Sequence, residues 1–510
     1  MADIDEGLAN LRSKIDHIVV LMLENRSFDH MLGYLSLDPP EGRGRTDIDG
    51  LRPDMSNTWH KDAANGDGKP YRVHPAQGTT LKKIQDPSHS WGPVHEQLSD
   101  GNAHFVDSYM KTRPPEWRTE TPRVVFANNV MAYHTPEQLP VYDFLAENFC
   151  VCDRWFCSIP GPTLPNRLYS LCGTSGGHKD GKLSLYKLPT FVRHLDKAHA
   201  DWCWFIHSPP PMVWVADSDY ALLHGGSIAW FKNHEPWPWF HDTFMQRAAR
   251  GKLPAVSWIE PLFVDVVGNA MPTNDDHPPS DIRAGQELVL NVYSALAGNP
   301  EAWKRTMLVI TYDEHGGFFD HVNPDKEVGA PEDDRAADGF NAYGPRVPAI
   351  VVSPWVEPGS TALDAAGSKI VFDHTSLIKT ILERFCRHDD GTIPNMGTRV
   401  ANANHLGHLL TRDVPLDPPP FDHVLPALKQ FRGDMLEAVF ESHAKQLLGK
   451  LPDLSDFQKQ LITARESLLS GGAFARYFTH RTSLHGQLPP AQAEPQPPPP
   501  PQPPGPDRPH

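Results

Sequence analysis

Two runs of this 510-residue chain end in side chains that could do chemistry together. In HIVVLMLENRSFDH, residues 17–30, an apolar run from Ile18 to Leu23 breaks directly into Glu24, Asn25 and Arg26. In TMLVITYDEHGGFFDHV, residues 306–322, a second apolar run ends in Asp313, Glu314 and His315. Apolar runs of this length rich in β-branched residues read as buried strands. In parallel α/β sheets, ligands gather beyond the carboxyl ends of the strands. If the two runs are parallel neighbours, Glu24, Asn25, Asp313 and Glu314 converge at one end of the sheet. Crowded carboxylates repel unless protons or a cation neutralise them. An oxygen-rich set suits one divalent ion such as Ca²⁺, Mg²⁺, Mn²⁺ or Zn²⁺. Taken singly, either acidic end would serve equally well to cap the next helix or to pair with Arg26.

A nucleophile stands between them in sequence. SIPGPTLPNRLYSLCGTS, residues 158–175, opens with Pro160, Gly161 and Pro162, which block helix, and continues as a helical pattern. Thr163 therefore falls at a helix N-terminus, where free N–H groups and the helix dipole favour an anion. Its hydroxyl could attack phosphorus there, or it could simply cap the helix. His89 in DPSHSWGP, His277 in NDDHPPS and His374 in FDHTS are candidates to contact a phosphoryl group or protonate a leaving oxygen. Residues 173–177 satisfy G-x-S-x-G, but the preceding segment reads as helix and the following one as loop, which is the wrong context for a nucleophile elbow.

The elements that must position these groups follow from periodicity. IDHIVVLML, MLVITYD and VPAIVVSPW have strand length, while SDIRAGQELVLNVYSALA and DHTSLIKTILERFC read as helices opened by Ser280 and Asp373. Strands separated by helices imply right-handed crossovers and a mostly parallel sheet covered on both faces. We place a catalytic domain at 1–420, a helical segment at 421–487 and a disordered, polyproline-like tail at 488–510. The tail could dock partner domains.

Composition narrows the class. A net charge of −16 and no basic cluster argue against nucleic acid. No apolar stretch is long enough to span a membrane, and the acidic N-terminus lacks a signal-peptide core. A cytoplasmic protein is expected, or an exported one if translation starts upstream. Cys150, Cys152, Cys157 and Cys172 lie close together, but their C-x-C-x₄-C spacing suits a zinc knuckle poorly, so buried thiols or an occasional disulfide are expected.

ENRSFDH, GPTLPNR, DDHPP with a following GQ, YDEHGGFFDHV and FDHTSLIKTILE occur in the order seen in one phosphoesterase family. The chain resembles that family, which includes non-specific phospholipase C and the acid phosphatase AcpA, from residue 15 to about 385. The resemblance implies an alkaline-phosphatase-like three-layer α/β/α fold. It implies one metal site made by Glu24, Thr163, Asp313 and Glu314, with Thr163 also the nucleophile of a two-step in-line displacement. Asn25, His89 and His277 would contact the phosphoryl group, joined by His207 in WFIHSPPP, and His277 would protonate the leaving oxygen. His374 would support the site from behind or cap a helix. Arg26, Ser27 and Asp29 would fix the turn after the first strand, with His30 structural. Threonine at position 163 leans towards phosphodiesters such as phosphatidylcholine, cleaved as by phospholipase C. Phosphomonoesters, as for an acid phosphatase, or a broad range of phosphoesters are the alternatives.

Overall fold

A computed structural model describes residues 5–430, apart from 62, 64–65, 79–85, 112–127, 208–210, 222–227, 232–242, 264–272, 279 and 337–339. By internal contacts the chain divides into Met1–Ala464 and Arg465–His510, and every described residue belongs to the former. The expected helical segment beyond residue 430 and the proline-rich tail lie outside the described residues. Up to Leu428 the chain packs on the body: Phe421 meets Tyr293 edge-on, His423 meets Phe144, and the Tyr293 hydroxyl donates to Pro419 O at 2.7 Å.

The core is a seven-stranded sheet. In chain order its strands are β1 (His17–Leu23), β2 (Cys150–Val151), β3 (Trp202–Ile206), β4 (Ile228–Trp230), β5 (Val256–Ile259), β6 (Thr306–Tyr312) and β7 (Ala349–Val352). Their spatial order is β2-β7-β6-β1-β5-β3-β4. The pairs from β6 through β1, β5 and β3 to β4 are all parallel. Only β7 runs against its neighbours, β6 and β2. The expected mostly parallel sheet is therefore present, with the run in VPAIVVSPW as its one reversed member.

Burial explains why β1 and β6 read as unbroken apolar runs. Every residue of β6 and all of β1 except His17 are buried, so both faces of the sheet are covered. Each fully buried Val, Leu or Ile contributes roughly 1.5–3 kcal/mol, which leaves no room for a charged residue until the strand ends. Helices supply the cover. α1 (Glu6–Lys14), α2 (Pro140–Asn148), α3 (Thr163–Cys172), α4 (Phe244–Ala249), α5 (Ile282–Ala297) and α6 (Thr375–Phe385) flank the strands. One group joins α3 and α1 to α6, and another joins α2 and α4 to α5.

Two capping expectations are corrected. Asp281, not Ser280, caps α5, accepting from Arg283 N. His374, not Asp373, occupies the N-cap of α6, and its side chain makes no capping bond. The six cysteines are free, buried thiols. Gly173 ends α3 in left-handed backbone at φ 72°, so the G-x-S-x-G stretch is a helix C-cap and no elbow.

Candidate active site

The register of β1 and β6 builds the centre. His17 to Leu23 pair one for one with Thr306 to Tyr312. Glu24 and Asp313 are the next residues on each strand, so both leave the sheet side by side, and Asp313 N–H still donates to Leu23 O at 3.1 Å. Glu24 N–H donates to Asp275 O at 2.8 Å, which ties the DDHPP segment to the same edge. All three acids, Glu24, Asp313 and Glu314, are fully buried.

Their partners differ. Arg26 does not pair with Glu24; it donates to Asp276 O at 2.8 Å and to His30 Nε2 at 3.0 Å. The cation beside the acids is Arg167, the last residue of GPTLPNR and the fifth of α3. Its Nε lies 2.9 Å from Asp313 Oδ2 and its Nη2 lies 3.3 Å from Glu24 Oε1. Both Glu24 oxygens nevertheless lack a hydrogen bond, as does Glu314 Oε1. Burial first, and then Asp313, push the Glu24 carboxyl well above its ordinary range despite Arg167. Burial also lifts Asp313 to about 6, with Arg167 opposing. Burial presses Glu314 in the same direction, but His89, His315 and the Gly316 N–H outweigh it and the group ends lowered. Orphaned, buried carboxylate oxygens are what a divalent cation would satisfy, so the donor set fits such an ion. Among the described residues Asp86, His89 and His277 also bring ligand atoms within 4.8 Å of one another, whereas Glu24, Asp313 and Glu314 do not form such a group. Arg167 stands between two of them.

Asn25 is the hub. Its backbone is held at φ 61°, a left-handed conformation uncommon outside glycine, by N–H donation to Asp313 Oδ1 at 3.2 Å. A Cβ on Gly316 would come within 2.0 Å of Asn25 O, which is why YDEHGG turns on glycine. The Asn25 side chain accepts from the Thr163 hydroxyl at 3.3 Å and places Nδ2 3.0 Å from His277 Nε2 and 3.4 Å from His89 Nε2. Thr163, Asn25, His89 and His277, drawn from four distant segments, thus meet at one point.

Each of these groups is braced. Thr163 is the first residue of α3, after Pro162, with free N–H groups of the first turn around it. Asn166 closes the Pro-Gly-Pro loop by donating to Ile159 O and Gly161 O and accepting from Ile159 N. His277 Nδ1 donates to Pro278 O at 2.7 Å, leaving Nε2 to accept from Asn25. Burial lowers the His277 pKa, which keeps the imidazole neutral. Burial would lower His89 too, but Glu314 and Asp86 lift it to about 9. The GQ after DDHPP also has a purpose. A Cβ on Gly285 would lie 2.1 Å from Asp276 Oδ1, and that carboxylate accepts from the Tyr312 hydroxyl at 2.6 Å.

His207 and His374 lie apart from the hub. His207 follows β3, two strands from β1, where its Nδ1 bonds Glu260 O at 2.7 Å and its ring stacks on Phe231. His374 backs the site: Nε2 donates to Asp313 O at 2.6 Å, and Nδ1 accepts from Trp155 Nε1 at 3.3 Å. Ser27 caps the helix Phe28–Met31, and the His30 ring stacks on Phe318, as a turn-forming segment requires. Arg167, Asp86 and Asp275 are additions that sequence reading missed. Arg167 carried one signal, a lone cation within a small, apolar motif of a protein with an excess of acids.

The sequence profile of the Phosphoesterase family matches residues 15–386. The chain belongs to that family. Non-specific phospholipase C6 of Arabidopsis thaliana is 32% identical over 92% of this chain and 89% of its own length. Non-specific phospholipase C1 of the same plant is 34% identical over 74% of this chain and 68% of its own. Phospholipase C B of Mycobacterium tuberculosis is 29% identical over 82% of each. Among solved structures, a protein in the alkaline phosphatase superfamily from Vibrio parahaemolyticus covers 62% of this chain and 83% of its own at 13% identity, with a TM-score of 0.28. As a phosphoesterase, this chain is a hydrolase acting on phosphoric ester bonds.

Proposed function

We propose that this phosphoesterase is a metal-dependent phospholipase C that cleaves phosphodiesters such as phosphatidylcholine through Thr163. The observation that carries this reading is the Asn25 side chain, which joins the Thr163 hydroxyl to two histidines in front of the paired Glu24 and Asp313. The phospholipase C relatives support the choice of diester.

Glu24, Asp313, Glu314 and Thr163 would hold one divalent cation. Such an ion would supply Lewis-acid stabilisation of charge on the phosphoryl oxygens. The chain's own groups divide the remaining work. Thr163 Oγ1, its proton lost to solvent, bonds to phosphorus while the bond from phosphorus to the glycerol oxygen breaks. The N-terminal N–H groups of α3 and the Asn25 amide hold the phosphoryl oxygens in line. His89 takes the acid's role, because its neighbours keep it cationic, whereas His277 is kept neutral and orients Asn25. The departing diacylglycerol oxygen receives the His89 proton. A water then loses a proton to the now neutral His89 and bonds to phosphorus as the bond to Thr163 Oγ1 breaks; Oγ1 takes a proton back from solvent, and the phosphorylated head group is released.

Thr163→Val, assayed on phosphatidylcholine, p-nitrophenylphosphorylcholine and p-nitrophenyl phosphate, tests the reading. Turnover of all three should collapse. Undiminished turnover removes Thr163 as nucleophile, and a wild-type preference for the monoester replaces the diester assignment with an acid-phosphatase one.

A further inference from the structure

We infer that His60, His104 and Asp107 form a separate divalent transition-metal site, best suited to Zn²⁺. It uses none of the groups assigned to phosphoester cleavage and stands whether or not that assignment holds. The ligand atoms of these three residues lie within 4.8 Å of one another. Both imidazoles aim the same nitrogen at one oxygen: His60 Nδ1 and His104 Nδ1 each lie 2.7 Å from Asp107 Oδ2. Two N–H donors converging on a single carboxylate oxygen mark the position where one cation could replace two protons.

The groups behind the ligands are already arranged. Asp107 Oδ1 accepts from His60 N–H at 2.8 Å, which leaves Oδ2 for the centre. His104 Nε2 contacts Asp100 Oδ2 at 3.1 Å, the carboxylate–histidine pairing that orients an imidazole ligand and raises its basicity. Backbone strain places that carboxylate. Asp100, Gly101 and Asn102 have φ of 52°, 81° and 67°, a left-handed run that turns Asp100 back over His104. Asp107 is buried, while the His60 and His104 side chains are 35% and 22% exposed, so an ion can reach the site.

Two imidazoles and one carboxylate favour a borderline ion over Ca²⁺ or Mg²⁺, which prefer oxygen alone. Zinc bonds of ~2.0–2.1 Å in a tetrahedron put ligand atoms ~3.3 Å apart, so the two contacts must open by roughly 0.6 Å, a small movement for partly exposed histidines. A cavity lined by Ser56, Asn57, Thr58, His60, Asn102 and His321 adjoins His60 and gives room for water as the fourth ligand. The ion would pin the segment after the strand Ser56–Thr58 to the start of the helix Phe105–Lys111.

The full chain is stripped with chelator, reloaded in buffered Zn²⁺ and assayed for bound zinc by mass spectrometry. His60→Gln/His104→Gln should bind one Zn²⁺ fewer per chain than the wild type. It should also lose part of the zinc-dependent rise in melting temperature and keep its phosphoesterase turnover. Should the double variant not fold, His60→Gln alone, at the more exposed position, gives the same comparison. Glu24→Gln should retain this ion and its share of the thermal shift. Equal zinc content and an equal thermal shift in a folded histidine variant overturn the proposal.

Discussion

Two buried clusters of charge flank the turn after β1, and they are resolved in opposite ways. Around Arg346, every carboxylate has a partner. Arg346 donates to Asp29 at 3.0 Å and to Asp320 at 2.9 Å, and His321 bridges Asp29 at 2.7 Å and Asp49 at 3.0 Å. Around Arg167, the same kind of guanidinium reaches two carboxylates, yet both oxygens of Glu24 remain without a hydrogen bond. The Arg346 cluster also brings Asp29, Asp320 and His321 close enough to hold an ion, but the arginine already fills that role. Complete pairing to an arginine, which keeps its protons, makes a joint, and incomplete pairing leaves a socket. Composition alone does not separate these two arginine-centred clusters; the count of unsatisfied oxygens does.

Substitutions can break this contrast. The largest effect is expected for Thr163→Val, which should lower kcat by at least ~10³-fold while leaving the unfolding midpoint in urea nearly unchanged. Arg346→Met should do the reverse. Stranding buried carboxylates costs about 3–5 kcal/mol in urea unfolding. Arg167→Met in the metal-loaded protein should cost distinctly less stability and more activity. Equal losses from the two arginine variants would show that both clusters are structural.

A smaller effect sharpens the division between the histidines. His89→Gln should reduce kcat/KM by roughly 10²-fold and remove the alkaline limb of its pH profile. His277→Gln should leave that limb in place. An alkaline limb that survives in His89→Gln returns the acid's role to another group.

The smallest effect concerns pH and the stripped protein. The Asp313 carboxyl is raised from 3.8 to about 6, so its stabilising contribution is complete below about 3.8 and is lost as pH rises through about 6. Glu24 is raised as well and acts with the same sign. In EDTA, the melting temperature of the wild type relative to Glu24→Gln should therefore be higher at pH 5 than at pH 7. A difference that is constant with pH would show that the Glu24 carboxyl is not raised in the stripped protein.

Much of this was legible in the sequence, for a physical reason. β1 and β6 are buried on both faces, so their apolar runs have sharp ends, and those ends are the two acids. Pro162 marks the start of α3 and so locates Thr163. The partners were harder to see. Arg167 lies within α3 and reveals its purpose only when that helix is laid beside the ends of β1 and β6. The charge states of His89 and His277 depend on Glu314, Asp86 and burial, none of which spacing reports. The caps of α5 and α6 were each misplaced by one residue, because several neighbouring polar groups there could cap and only backbone geometry selects among them.

The one-for-one ladder between β1 and β6 has a consequence for how this chain can tolerate change in length. Glu24 and Asp313 are separated by about two thirds of the catalytic body in sequence, yet their adjacency is set by the pairing of two seven-residue strands. Segments inserted between those strands can grow or shrink without moving the two acids. Deletion of a single residue inside either strand would turn its acidic end towards the opposite face of the sheet. Length variation should therefore be free in the connections and forbidden in the ladder, and a library of single-residue deletions scored for zinc-independent folding and for turnover would map that boundary.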